Sequence, residues 1–180
     1  MFKNIIYSLQ SLVVYLLFFI GRIIGLKTSR KIFAFIFSTI GPFFKSEKII
    51  KNNLNIFSNI ISNSDKKKIT NNMWKNYGMT FIEYVYLDQL KKNNDHITVK
   101  NKEILSLILK EKKPVIFVSG HFANFELMSM EIVKNNIPLA TIYRPLNNIF
   151  LNPFMEYLRK KHICKNQIKK GMNGVRESIE

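Results

Sequence analysis

The sequence predicts an α/β protein in which a partly parallel sheet is flanked by helices and preceded by an N-terminal membrane-anchoring helix. Three observations carry that expectation. Residues 4–21 contain no charged side chain. Apolar residues then recur at helical spacing across residues 49–85. Beyond residue 97 the pattern changes to short β-type runs alternating with amphipathic helices, the order of a βαβ unit and hence of parallel strands.

The first element reads IIYSLQSLVVYLLFFIGRIIGL, and its uncharged part approaches the ~20 residues that cross a bilayer core. A signal peptide is the main rival, but no Ala-x-Ala-like site follows and the apolar tract resumes after Arg22. A buried helix of a soluble protein is the other alternative. Lys3 stands alone before the segment, whereas Arg22, Lys27, Arg30 and Lys31 crowd behind it. The positive-inside bias therefore places the bulk of the chain in the cytoplasm. Residues 1–30 are assigned to an anchor that spans or deeply embeds. Residues 31–180 form one domain, helical over about 31–95 and α/β over about 96–180.

Residues 32–44 form a Phe-rich block, too short to span, that closes at Gly41-Pro42 and suits an interfacial or core helix. Two helices follow, the first on Ile49, Ile50, Leu54, Phe57, Ile60 and Ile61. The second lies on Met73, Trp74, Tyr77, Phe81, Ile82 and Val85. Asn63-Ser64-Asp65 separates them, with Ser64 or Asp65 as the expected cap of the second. Next, ITVK (97–100) reads as a short strand, EILSLILKEKK as an amphipathic helix, and PVIFVSG (114–120) as a buried strand bounded by Pro114 and Gly120. NFELMSMEIVKNN is a helix, IPLATIYRP a strand, and LNPFMEYLRKKHI a helix with Pro153 in its first turn. The closing GMNGVRESIE begins a helix without cap or partner strand, so the domain is expected to be incomplete at the C-terminus.

A hydrophobic content of 47% over 180 residues rules out a disordered chain and suffices for a real core. With 28 basic against 12 acidic residues the net charge is +16, a field that attracts nucleic acid, anionic headgroups or phosphorylated carriers. The Lys residues do not interleave with aromatics on any readable single-strand platform, which argues against nucleic acid. Cys164 is the sole cysteine, so no intramolecular disulfide can form, and it is read as a structural thiol.

The chemistry concentrates in VSGHFANFE (118–126). In an open α/β sheet, ligands gather at the carboxyl ends of strands. His121 sits just past such an end, and Glu126 falls at the start of the following helix. A carboxylate bonded to one imidazole nitrogen fixes the tautomer and stabilises the imidazolium, and the other nitrogen can take a proton from a hydroxyl. Ser119 lies outside any Gly-x-Ser-x-Gly elbow. The pattern therefore points to attack by an external hydroxyl on an activated acyl group without a covalent enzyme intermediate. Zinc is poorly supported, because His-x-x-x-x-Glu is not a helical i, i+4 pair. A structural histidine at a strand end is the competing reading. Gly120 leaves space for close approach, and Asn124 offers an amide donor for an oxyanion or acceptor. Arg144, after Tyr143, emerges on the same sheet edge if the strands are parallel neighbours, and a guanidinium suits phosphate there.

His-Phe-Ala-Asn-Phe-Glu after a hydrophobic strand resembles the His-x-x-x-x-Asp/Glu block of glycerolipid-type acyltransferases. It is more similar to that of the lipid A biosynthesis (lauroyl/myristoyl) acyltransferases, which often reads Gly-His-Phe-Gly-Asn-Trp-Glu. The N-terminal helix, KNNLNIF, NYGMTFIEY, the Tyr-Arg-Pro-Leu-Asn-Asn block at 143–148, Arg159 and KKGMNGVRESIE follow in the same order. Ala123 and Phe125 stand where the family usually has Gly and Trp. The resemblance implies a glycerolipid-acyltransferase-like fold at the cytoplasmic face of the bacterial inner membrane. His121 is then the general base and Glu126 its partner carboxylate. Arg144 meets phosphate on the lipid or on the donor's phosphopantetheine, and Arg159 adds to the same basic surface. The implied donor is an acyl-carrier-protein thioester (or acyl-CoA) and the implied acceptor a lipid A precursor, with no metal or organic cofactor. Alternatives are another phospholipid or glycolipid acceptor, or a truncated, non-catalytic, basic membrane-binding paralogue.

Overall fold

Helical periodicity dominates the architecture: about 70% of the residues described by a computed structural model, namely 2–43, 47–57, 60–93 and 96–177, are helical. The helices are α1 (Phe2–Ile24), α2 (Leu26–Ile40), α3 (Glu47–Phe57), α4 (Asn63–Glu83), α5 (Leu87–Lys92), α6 (Lys102–Glu111), α7 (Glu126–Lys134), α8 (Asn152–His162) and α9 (Met172–Glu177). Two strands, β1 (Ala140–Tyr143) and β2 (Asn166–Lys169), lie on either side of α8. Residue 44 of the Phe-rich block and residues 178–180 of the terminal motif lie outside the described residues. The chain divides into two compact units, Phe18–Tyr86 and Met1–Leu17 with Leu87–Glu180.

In the first unit, α2 packs on α4. Phe33 is buried, and the Phe18, Phe33 and Phe37 rings surround Phe81 at centroid distances of 4.8, 5.9 and 5.3 Å. Of these, Phe81 is a position that the 3.6 period placed on the apolar face of its helix. Ser62, not Ser64 or Asp65, caps α4: its hydroxyl oxygen accepts from the Asp65 N–H at 3.1 Å, the geometry that satisfies an orphan N–H of the first turn. Arg22 and Arg30, which the charge pattern assigned to a membrane flank, have partners here. Arg22 donates to the Val85 carbonyl at 2.9 Å and lies over the Tyr86 ring, and Arg30 pairs with the buried Glu83 at 2.9 Å. The Ser29 hydroxyl donates to the Gly21 carbonyl at 2.6 Å, and the Tyr86 hydroxyl donates to the same oxygen.

Gly78 is where α4 meets the backbone of α2. A Cβ there would lie 2.1 Å from the Phe33 carbonyl oxygen and 2.6 Å from its carbon. Backbone cannot swing aside as a side chain would. Gly78→Ala is expected to lower stability by about 1–3 kcal/mol through overpacking, despite the better helix propensity of alanine. A denaturation midpoint in detergent equal to or above that of the parent would contradict this.

In the second unit, β1 and β2 form a two-stranded parallel sheet, with Ala140 opposite Asn166 and Tyr143 opposite Lys169. The α8 crossover makes β1–α8–β2 a βαβ unit, so the parallel arrangement is present, but the strands differ from those expected. IPLATIYRP supplies β1 as anticipated. ITVK and PVIFVSG do not form strands. Among the described residues, no backbone hydrogen bond ties 114–119 to a neighbouring segment, and Val115, Ile116 and Val118 are exposed. An apolar β-branched run is suited to a sheet, but a strand exists only where a neighbour completes its ladder. Conversely, β2 went unread because it buries a single side chain, Ile168, too little alternation to register. Cys164, read as a structural thiol, is buried, with Sγ donating to the Leu139 carbonyl at 2.7 Å.

Among the described residues, α1 is long and apolar enough to cross a bilayer and fits a membrane anchor.

Candidate active site

A cleft of about 1130 Å³ is lined by residues of the 112–121 segment, of α7 and of β1. Its walls are mostly aliphatic and aromatic, including Val115, Phe117, Ile132 and Leu139. Gly120, His121, Glu126, Arg144 and Arg159 all line it. Residues scattered over nearly forty positions of sequence thus converge on one concavity: the Glu126–Arg159 ion pair ties α7 to α8, and the Tyr143–Glu156 hydrogen bond ties α8 to β1. Asn124 stands outside the lining and has a local role: its Oδ1 accepts the Glu126 N–H at 3.2 Å, closing the turn that starts α7. At Gly120 a Cβ would meet the Phe122 ring at 2.5 Å, but Phe122 is exposed and can swing away. The space that Gly120 leaves is therefore not fixed by packing.

Ala123 has φ 47°, in the left-handed region that penalises any Cβ. Glycine occupies this position in the block this segment resembles. The left-handed cost is about 1–2 kcal/mol, and glycine's larger unfolded-state entropy takes back roughly half of that. Ala123→Gly is thus expected to raise stability by about 0.5–1 kcal/mol. A lower midpoint in the same denaturation series would mean the turn is not strained.

His121 is exposed at the cleft mouth, its ring 4.4 Å from that of Phe125. Among the described residues, no hydrogen bond joins it to Glu126. Glu126 is buried instead against Arg159: the Arg159 Nε and Nη2 both donate to Glu126 Oε1 at 2.7 Å, with side-chain exposures of 15% and 9% for Arg and Glu. Arg159 also lies under the Tyr143 ring, 5.7 Å from its centroid. The two arginines therefore differ. Arg159 is committed to the Glu126 side chain, whereas Arg144, at the end of β1, is exposed to the cleft and makes no ion pair among the described residues.

A second polar cluster latches β1 to α8 and was not read from the sequence. Glu156 Oε1 accepts from the Tyr143 hydroxyl at 2.5 Å, from Asn152 Nδ2 at 2.8 Å and from Lys169 Nζ at 3.3 Å. The signal was present: Glu156 is the single acid in the otherwise basic NPFMEYLRKKH. Burial pushes the Tyr143 hydroxyl well above its usual range, and donation to Glu156 adds to this. Burial alone would raise the Glu156 carboxyl, but the hydrogen bonds from Tyr143, Asn152 and Lys169 outweigh it and hold it below its ordinary 4.5. The lowered carboxyl stabilises the fold above its unfolded pKa, a contribution lost as pH falls through the folded value. The raised phenol stabilises below its ordinary 10.0, lost as pH rises through the folded value. Stability is expected to fall at both extremes, and Glu156→Gln should flatten the acid limb. An unchanged acid limb in that variant would remove the latch from the account.

Among the described residues, no three His, Cys, Asp or Glu side chains converge as a metal-ligand group. The arrangement combines an exposed imidazole, a buried Glu126 side chain fixed by a guanidinium, a second, exposed guanidinium lining the same cleft, and mostly apolar cleft walls. That set suits a substrate with an apolar chain and an anionic head. No curated protein and no solved structure matches the chain. The family model described as bacterial lipid A biosynthesis acyltransferase matches residues 1–178, nearly the whole chain, and the protein belongs to that family.

Proposed function

We propose that the protein is a membrane-associated O-acyltransferase that moves a fatty acyl chain from an acyl-carrier-protein thioester to a hydroxyl of a lipid A precursor, as a late acylation at the cytoplasmic face of the inner membrane. The observation that carries this reading is the convergence of His121, Glu126 and Arg144 on one apolar-walled cleft in a chain of this family. His121 takes the proton of the acceptor hydroxyl as its oxygen attacks the thioester carbonyl. The tetrahedral oxyanion then collapses, the C–S bond breaks, and the imidazolium returns the proton to the departing thiolate. Glu126, held in place by Arg159, is the carboxylate that orients the imidazole once substrate binding brings the two into reach. Arg144 binds a phosphate of acceptor or donor, and the apolar walls take the acyl chain.

A second reading, a non-catalytic basic membrane-binding paralogue, is favoured by one observation: the His121 ring rests on Phe125 without a bond to Glu126. Unliganded catalytic hydrogen bonds are often long and tighten in the substrate complex, which is why the catalytic reading is preferred. Membranes containing the full chain, supplied with acyl-carrier-protein thioester and lipid A precursor, should yield the acylated lipid. Absence of product, with acyl-CoA and phospholipid or glycolipid acceptors tried alongside, would favour the second reading. Product on another acceptor only would reassign the substrate.

A further inference from the structure

We propose that α1 lies in the plane of the membrane interface, with one apolar face in the lipid and the opposite face bound to the turn after β1, and does not cross the bilayer. The inference rests on the reading of α1 as the anchoring element. Its two faces are distinct. Ile5, Leu9, Leu12, Leu16, Phe19 and Ile23 succeed one another at intervals of three and four, and all are exposed, so they form one stripe along the helix. The other face is engaged by polar contacts over about two turns, from Tyr7 to Tyr15. Ser11 is buried, its Oγ 2.7 Å from the Tyr7 carbonyl oxygen and 2.9 Å from Asn148 Oδ1. Asn148 Nδ2 donates to that same carbonyl at 2.8 Å. The Tyr15 hydroxyl donates to the Phe150 carbonyl at 2.8 Å, and its ring meets Phe154 edge-on at 5.4 Å.

At 1.5 Å per residue, positions 7–15 begin about 8 Å from the start of α1 and end about 20 Å along it. In a spanning pose that stretch sits inside the ~30 Å hydrocarbon core. The turn at 148–151 and the first turn of α8 would have to sit there too. Irregular backbone at lipid-exposed depth is not tolerated, and α8 continues at once into Glu156, Arg159, Lys160 and Lys161, charges that are costly in a bilayer. An in-plane pose removes the conflict. The stripe enters the headgroup–acyl boundary while the Asn148 turn stays on the aqueous side.

Charge selects a lipid surface over a second copy as the occupant. The chain carries +16, with Lys3 near one end of α1 and Lys27 and Lys31 just beyond the other. Such cations attract anionic headgroups, whereas two like-charged chains repel.

Sidedness decides the pose. Full-length protein carrying Cys164→Ser, which keeps the donor to Leu139, and either Lys3→Cys or Lys27→Cys is labelled with a membrane-impermeant maleimide in sealed inner-membrane vesicles of both orientations. Detergent-solubilised samples provide the fully labelled reference. Labelling of both positions from the same side is the expected result. Labelling from opposite sides overturns the in-plane pose while leaving the anchor intact. Recovery of the protein in the soluble fraction removes the anchor reading, and this inference with it. A disulfide-linked dimer through Leu12→Cys in the same membranes also overturns it, because the stripe would then face a second copy. No acyl transfer is read, so failure of the proposed activity and failure of this pose remain separate outcomes.

Discussion

Replacing His121 by alanine is expected to reduce acyl transfer by about 10²–10⁴-fold, the range of general-base contributions. The effect should fall on turnover. His121 is exposed, and its ring contact is with Phe125 alone among the described residues, so its removal leaves no cavity and no buried polar group. Stability should change by no more than ~0.5 kcal/mol, as for other surface substitutions. Phosphate binding, for which Arg144 is the proposed anchor, should persist. The measurement is a radiolabelled acyl-transfer rate in membranes beside a denaturation curve of the same variant. Transfer at the parental rate would end the assignment of His121 as the base. Loss of transfer together with loss of the folded state would place His121 in the structure and not in the chemistry.

The second large effect belongs to Arg159. Its two nitrogens meet one carboxylate oxygen of Glu126 at 2.7 Å, and both side chains are largely buried. Removing one partner of such a pair strands the other charge away from water, at a cost of about 3–5 kcal/mol. Arg159→Met is therefore expected to destabilise the protein by that amount. Arg159→Lys should recover only part, because an ammonium cannot reproduce the two-nitrogen contact. The double variant Glu126→Gln/Arg159→Met should be more stable than Arg159→Met alone, since no unpaired charge remains. Denaturant midpoints for the two singles and the double give the coupling directly. Simple additivity would show that the ion pair carries little of the stability. Under the proposed function, Arg159 acts as a positioning residue, so Arg159→Lys should also lower transfer in the protein that remains folded.

Much of the candidate site was legible along the chain. The His-x-x-x-x-Glu spacing and the Tyr-Arg-Pro block named His121, Glu126 and Arg144, and the cleft gathers all three. The helices were legible as well, since a 3.6-residue period is written within each segment: Trp74 and Ile82 are buried on α4, as their spacing required. Other features could not be read locally. The Arg159–Glu126 pair joins residues 33 apart, and no spacing rule announces a partner at that distance. Arg159 thus reads from the sequence as a substrate-binding cation on the same basic surface as Arg144, not as the partner of Glu126. The Glu156 latch depends on β1, α8 and β2 closing together. Residues 114–118 have strand composition but no ladder partner among the described residues, a condition that lies in other parts of the chain.

By itself, therefore, the sequence determined the apolar first helix, the periodic helices, the one strand flanked by prolines and the chemical identity of the candidate base and carboxylate, since each depends on residue type and on neighbours a few positions away. The tertiary structure decided which short runs pair as strands, that one arginine is spent on Glu126 while the other faces the cleft, and that Ser11 and Tyr15 of the first helix bind the turn at Asn148 and Phe150. The physical reason is range. Periodicity and capping act within a turn or two of helix, whereas ladders, buried ion pairs and docked faces exist only after distant segments have closed on one another.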